Sequence, residues 1–427
     1  MVLVLNGVLQ EDSPPDSRTL FHNHPVYRDS ALQLVSIPTK VVGPVGLLYI
    51  QQRELAVTAP HDKNVSILGS DDATTCIIVV LRHSGSGAVG IAHLDGVGTE
   101  EGVQSMVQRV QQLALGYPEG RLELQMIGGF TNNRRNYSEE LFGSIMQIVL
   151  EEKAEQSDDG PLPSWARFRT SPRAFPSSIS NCPLLLTILS PFAHHAFHKQ
   201  PMEVDLTTAC VGELNTTIRG GIHWPIIYGI GVNVKTGEIF PATFPDKGPD
   251  PALRSARHLT GGQQVLDVYD CELGLLRIGP FNYEPLRGVD LWLQQSDEFI
   301  LQHLSTSPEV EPPLFVTQIR ATLKYIQDHP FPAVTVFRDN RPHYYRRDET
   351  SGTWTPISPP HLKNGDNQVM KKNVDNWDCD THEDVGRSFH RGEYMGHERS
   401  LRTALRIRSL RSAHLRMEEN SDVLTID

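Results

Sequence analysis

Two apolar runs, CIIVVLR opening at Cys76 and VGIAHL closing at Leu94, face each other across HSGSG. β-Branched residues fill the first run, and Ser84, Gly85, Ser86 and Gly87 supply the turn, so the spacing predicts an antiparallel hairpin. Around it, from Lys40 to Phe130, short runs alternate with turn residues: GLLYIQQRELAVT, SILG and RLELQMIGGF, the last with period-two alternation in LELQM. Between VGIAHL and RLELQMIGGF, Val103, Met106, Val107, Val110 and Leu113 recur at helical spacing behind Thr99 as N-cap. A second helix is expected from Ser138, whose hydroxyl caps a first turn carrying Glu139 and Glu140, with Leu141, Ile145, Ile148 and Val149 on one face. Strands resume in VDLTTACVGEL, in WPIIYGIGVNVKTGEIFPATF with KTG as the turn, and in QVLDVYD. An α+β sandwich follows from this order.

At 427 residues the chain exceeds one small core. Composition divides it into 1–159, which carries the hairpin; 160–202, a Pro/Ser-rich insertion read as loop; 203–360, the remainder of the same domain; and 361–427, a polar, basic tail with the composition of disorder. His194, His195 and His198 in the insertion resemble half a zinc site without a fourth ligand, so no metal and no cofactor are expected. In the tail, Arg399, Arg402, Arg406, Arg408, Arg411 and Arg416 surround Leu401, Leu405 and Leu410. That pattern suits an acidic partner or a membrane surface, against the plainer reading of a solvated helix.

The formal net charge of −12 argues against general affinity for nucleic acid or anionic lipid. Five cysteines without a CxxC pair suggest neither a disulfide framework nor a zinc cage, and fit a reducing compartment. The N-terminal apolar run is broken at Asn6 and lacks a basic flank, so no export signal is expected. CPLLLTILSPFA, from Cys182, is too short and too proline-rich to span a membrane.

Cys76 stands where the polar loop GSDDATT meets a buried strand, a junction that holds a thiol rigidly at the lip of a cleft. Most cysteines are core residues, and Cys210 and Cys271 are read that way. A reactive thiol needs a base. His93, on the facing strand, and His83, in the turn, are both in range, and sequence distance does not separate them.

Further blocks extend the pattern. LLYIQQRELAVTAP, SILGSDDATTC, IVVLRHSGSGA, RLELQMIGGF, PIIYGIGVNVKTGEIFPATFPDKGP, LRIGPF, FILQHLSTSP and EPPLFVTQIRATL, in this order, closely resemble the protein N-terminal asparagine amidohydrolase family. The likeness covers most of 1–159 and 203–358. It implies hydrolysis of the carboxamide of an N-terminal Asn on proteins or peptides, yielding Asp and ammonia. The Asp would be a secondary signal for arginylation and ubiquitin-dependent proteolysis in the cytoplasm or nucleus. The family's nucleophile is the cysteine of SDDATTC, here Cys76. The chain is also similar to chemotaxis-receptor glutamine deamidases and to deamidating cytotoxic necrotizing toxins in having a Cys at a strand start, a hairpin and a G-x-A-H segment. That likeness implies an α/β/β-type sandwich with a Cys–His deamidase core, selects His93 over His83, and gives Ser70 as the hydroxyl that supports the histidine.

The mechanism so implied pairs a Cys76 thiolate with a His93 imidazolium, holds the oxyanion on backbone N–H groups at Thr75 and Cys76 beside Thr74, and passes through a thioester. Reading the substrate's α-ammonium calls for a carboxylate or carbonyls in a closed pocket, and Asp71, Asp72 and Glu213 are the candidate carboxylates. The same Cys–His pair would serve a thiol deamidase of internal Gln, and a site distorted by the insertion would leave a non-catalytic binder of protein N-termini.

Overall fold

The structure, a computed structural model, describes residues 2–132, 136–150 and 203–358. The expectations for the 160–202 insertion with its histidines, and for the 361–427 tail with its arginines, fall outside these residues.

The hairpin forms as Ile77–His83 and Val89–Leu94, antiparallel, with Ile78 opposite His93 and Arg82 opposite Val89. It sits inside an eight-stranded sheet. Glu54–Thr58 and then Leu266–Asp267 follow on the Val89–Leu94 side; Leu122–Gly128, Glu203–Val211, Val2–Leu5 and Val8–Leu9 follow on the other. Glu203–Val211 lies parallel between Leu122–Gly128 and Val2–Leu5, so stretches from both sides of 151–202 are interleaved in one sheet.

Both faces of the hairpin are covered, which is why its sequence reads as an unbroken apolar run. Ile77, Val79 and Leu81 pack with Val103, Met106 and Val110 of the helix Thr99–Leu113 and with Leu141, Phe142 and Ile145 of the helix Tyr137–Leu150. Ile78 and Val80 pack with Leu48, Leu68, Ile230 and Val232 of a second, five-stranded sheet. Each such side chain fully removed from water contributes about 1.5–3 kcal/mol. Gly90 lets the helix close on the sheet: a Cβ there would lie 2.9 Å from Val57 and 3.0 Å from Met106.

The second sheet runs in the order Lys40–Val41, Ile239–Thr243, Ile230–Asn233, Ile67–Ser70, Leu47–Tyr49. KTG is the turn between its central strand, Ile230–Asn233, and the neighbouring Ile239–Thr243, where Val232 faces Ile239. Helices, large sheet and small sheet thus form three layers of an α+β architecture. Among the described residues no helix is long and apolar enough to cross a membrane.

Three local expectations shift. Thr99 is the first helical residue rather than the cap; Gly98, at φ 62°, precedes it because a Cβ there would meet the carbonyl of Gln263 at 2.2 Å. QVLDVYD is divided, with Leu266–Asp267 in the large sheet and Tyr269–Asp270 in a separate four-stranded one. Ser138 lies inside its helix, and its hydroxyl points to other partners.

Candidate active site

Cys76 immediately precedes the strand Ile77–His83 and packs with Ile78 on the face between the two sheets. His93 is directly opposite Ile78. Residues paired across a ladder share a face, so His93 and Cys76 are diagonal neighbours, roughly 7 Å apart at the backbone and within reach of an imidazole. Both line one cleft of about 1230 Å³, together with Asp72, Thr75, Lys247 and Gln318.

The second sheet supplies the partner of His93. Ser70, the last residue of Ile67–Ser70, donates its hydroxyl to the carbonyl of Ile50 at 3.0 Å, and its Oγ lies 2.8 Å from His93 Nδ1. A hydroxyl has one proton, so Oγ accepts from Nδ1–H and leaves Nε2 as the unprotonated nitrogen. Nε2 is buried with no hydrogen-bond partner among the described residues. Burial, aided by Lys247 and opposed by Asp95 and Asp72, pushes the His93 imidazole down to about 4. That direction favours the neutral imidazole, with its lone pair on Nε2, over the resting imidazolium expected from sequence.

The backbone behind the histidine is pinned as well. Arg53 donates its N–H to the His93 carbonyl at 2.9 Å, while its guanidinium pairs with Asp95 at 2.9 Å, both side chains nearly inaccessible.

The nucleophile loop is tied down residue by residue. Asp71 is engaged on both oxygens: it accepts from Tyr49 Oη at 2.7 Å, from the Phe244 N–H at 2.9 Å and from Lys247. Burial, and then the charge of Asp72, raise its carboxyl against the pull of Lys247. Its place is that of a clasp between loop and second sheet. Asp72, at a left-handed φ of 60°, keeps its side chain 34% exposed while meeting Lys247 Nζ at 3.1 Å and Gln318 Nε2 at 3.4 Å. Ala73 donates its N–H to the Tyr228 carbonyl at 2.9 Å. Thr74 is buried on the cleft wall, and Thr75 Oγ1 is 3.1 Å from Thr306 Oγ1.

Two candidates are not brought to the cleft. Glu213, on the short turn Gly212–Asn215, is drawn to Arg28 at 3.0 Å and Arg18 at 3.8 Å. His83 holds Ser86, with Nδ1 accepting from its N–H at 3.1 Å. Seven residues of extended chain separate His83 from Cys76, about 23 Å at 3.3 Å per residue.

Tyr49, Lys247, Thr306 and Gln318 escaped the sequence reading. They lie in four of the blocks that resemble the family, but no local spacing marks them for the site.

A sequence profile of the protein N-terminal asparagine amidohydrolase family matches residues 37–157 and 183–356. The chain belongs to this family. The first stretch contains Ser70, Cys76 and His93, and the second contains Lys247, Thr306 and Gln318. The interruption falls mostly within the segment read as an insertion, whose part from 183 onward the profile covers. The protein N-terminal asparagine amidohydrolase of Homo sapiens is 40% identical over 347 residues, 81% of this chain and 96% of the relative. That of Sus scrofa is 40% identical over 345 residues, covering 81% and 94%. That of Arabidopsis thaliana is 28% identical over 319 residues, covering 72% and 80%.

Proposed function

We propose that the chain hydrolyses the side-chain carboxamide of an N-terminal asparagine on proteins and peptides, releasing ammonia and leaving aspartate. What carries this reading is that Cys76 and His93 line one cleft, with His93 Nε2 buried and without a hydrogen-bond partner among the described residues, in a member of this family.

Cys76 Sγ attacks the carboxamide carbon while its proton passes to His93 Nε2, forming the C–S bond and moving the carbonyl pair onto oxygen. Backbone N–H groups at Thr75 and Cys76, on the loop shaped by Thr74, hold that oxyanion. His93 then returns the proton to nitrogen, the C–N bond breaks and ammonia leaves a thioester. Water, deprotonated by neutral His93, adds to the thioester; the C–S bond breaks, sulfur regains its proton and the carboxylate departs. Throughout, Ser70 keeps the other ring nitrogen protonated. Asp72 receives the substrate's α-ammonium, and Lys247 offsets the charge of Asp71 beneath it. An N-terminal Gln, one methylene longer, is rejected by about 1–3 kcal/mol of packing if its ammonium is held at the same point.

The aspartate so exposed would feed arginylation and ubiquitin-dependent degradation in the cytoplasm or nucleus. Incubating the full chain with Asn-initiated, Gln-initiated and internal-Gln peptides tests the chemistry, a gain of about 1 Da with ammonia release marking deamidation. The Asn-initiated peptide should convert, and Cys76→Ala should abolish conversion while keeping the circular dichroism spectrum. Conversion of internal Gln alone, binding without turnover, or an active Cys76→Ala variant would each reject the proposal.

A further inference from the structure

Ser138 begins from an anomaly. A serine at a helix start ordinarily turns its oxygen back onto the N–H groups of its own first turn. Here the residue is 4% exposed, and its hydroxyl accepts the Phe130 N–H at 3.2 Å and donates to the Thr75 carbonyl at 3.2 Å. With the N–H of Phe130 on the oxygen, the one hydroxyl proton is directed at Thr75. The approach is close enough to need glycine beside it: Gly129 has φ 62°, and a Cβ there would lie 2.8 Å from the Ser138 Cβ.

Thr75 is the residue before the nucleophile. The peptide joining it to Cys76 is planar and trans, so its C=O and N–H point in opposite directions and fixing one fixes the other. On its side chain Thr75 also meets Thr306 Oγ1 at 3.1 Å, so the residue is held from the helix Tyr137–Leu150 and from the loop that follows Leu304.

We propose that Ser138 is a positioning residue for catalysis, which by holding the Thr75 carbonyl aims the Cys76 N–H at the oxygen that becomes negative when sulfur attacks. This rests on the reaction proposed above. Ser138 touches neither substrate nor sulfur; it sets the direction of the donor. Losing an oxyanion donor outright costs about 100- to 1000-fold in kcat, so a donor retained but no longer aimed should cost about 10- to 100-fold.

The test compares turnover of an Asn-initiated peptide with alkylation of Cys76 by iodoacetamide, read at the Cys76-containing peptide by mass spectrometry. Alkylation uses the same sulfur but builds no oxyanion. Ser138→Ala should lower kcat by about 10- to 100-fold with little change in KM, and leave the alkylation rate within about twofold. Ser138→Cys, which keeps a weak donor of similar size, should recover part of kcat, and it carries the test if the alanine variant does not fold. Unchanged kcat in both variants, or alkylation slowing in step with kcat, would overturn the inference. Failure of the underlying reaction shows separately, as turnover by Cys76→Ala.

Discussion

His93 Nδ1 and Ser70 Oγ lie 2.8 Å apart across the gap between the two sheets, one residue from each. The protonation pattern of the imidazole is thus set by the other layer of the sandwich. Had the histidine been held by its own sheet, a shift of the layers would leave its tautomer alone; here sheet packing and base orientation are one event.

Ser70→Ala should consequently impair chemistry more than binding. Without the acceptor at Nδ1 the ring loses both its tautomer and its angle, which should cost about 10- to 100-fold, the range seen when the partner of a metal-bound histidine is removed. The carbonyl of Ile50 would also lose its buried partner, at about 1–3 kcal/mol of stability. Steady-state kinetics should show a fall in kcat with KM little altered, and Ser70→Thr should retain more activity than Ser70→Ala. Equal loss in both variants would mean that the hydroxyl is not the operative group.

The depressed imidazole carries a stability signature. In the unfolded chain His93 takes up a proton near its ordinary value of 6.5, whereas the folded state resists until about 4. Between these values the unfolded state binds more protons, so folding stability falls as pH drops from about 6.5 to 4, by about 3 kcal/mol in all, and is unaffected by this group above 6.5. Urea unfolding at pH 7 and pH 4 should show the wild type losing about 3 kcal/mol more than His93→Gln. The acid limb of kcat/KM should likewise fall well below that of a solvent-exposed imidazole. A limb centred at 6.5 would contradict a buried, neutral base.

What could be read from sequence follows the reach of each signal. The hairpin and the helix Thr99–Leu113 were legible because their apolar periods are local and their faces large. Cys76 and His93 were legible as a pair because a hairpin converts sequence spacing into register, although only the family likeness separated His93 from His83. Asp71 and Asp72 are adjacent in sequence and look equivalent there; long-range contacts with Tyr49, Phe244 and Lys247 engage both oxygens of Asp71, while Asp72, on the same cleft, stays more exposed. Ser138 was misread for the same reason: a serine before two glutamates has the pattern of a cap, and nothing local indicates that Thr75, 63 residues away, claims its proton.

The rival base gives a clean negative control. His83 holds Ser86 at the turn, about 23 Å along the strand from Cys76. His83→Ala should leave kcat and KM within about twofold of wild type, and its effect should appear in thermal stability, at about 1 kcal/mol for a lost turn bond. A dead His83→Ala variant beside an active His93→Ala would reverse the assignment.

Asp72→Asn addresses selection of the free N-terminus. Asparagine tolerates the left-handed backbone that Asp72 occupies, so the substitution removes charge without adding strain. A hydrogen bond to a charged group contributes about 1.5–3 kcal/mol, so kcat/KM for an Asn-initiated peptide should fall about 10- to 150-fold. The sharper readout is a comparison of substrates. The wild type should strongly prefer the free amine over the N-acetylated peptide, and Asp72→Asn should narrow that gap by losing rate on the amine alone. If the variant slows both peptides equally, Asp72 acts through the field at His93, to which it lies close enough to raise the imidazole, and the ammonium must be read elsewhere on the cleft wall.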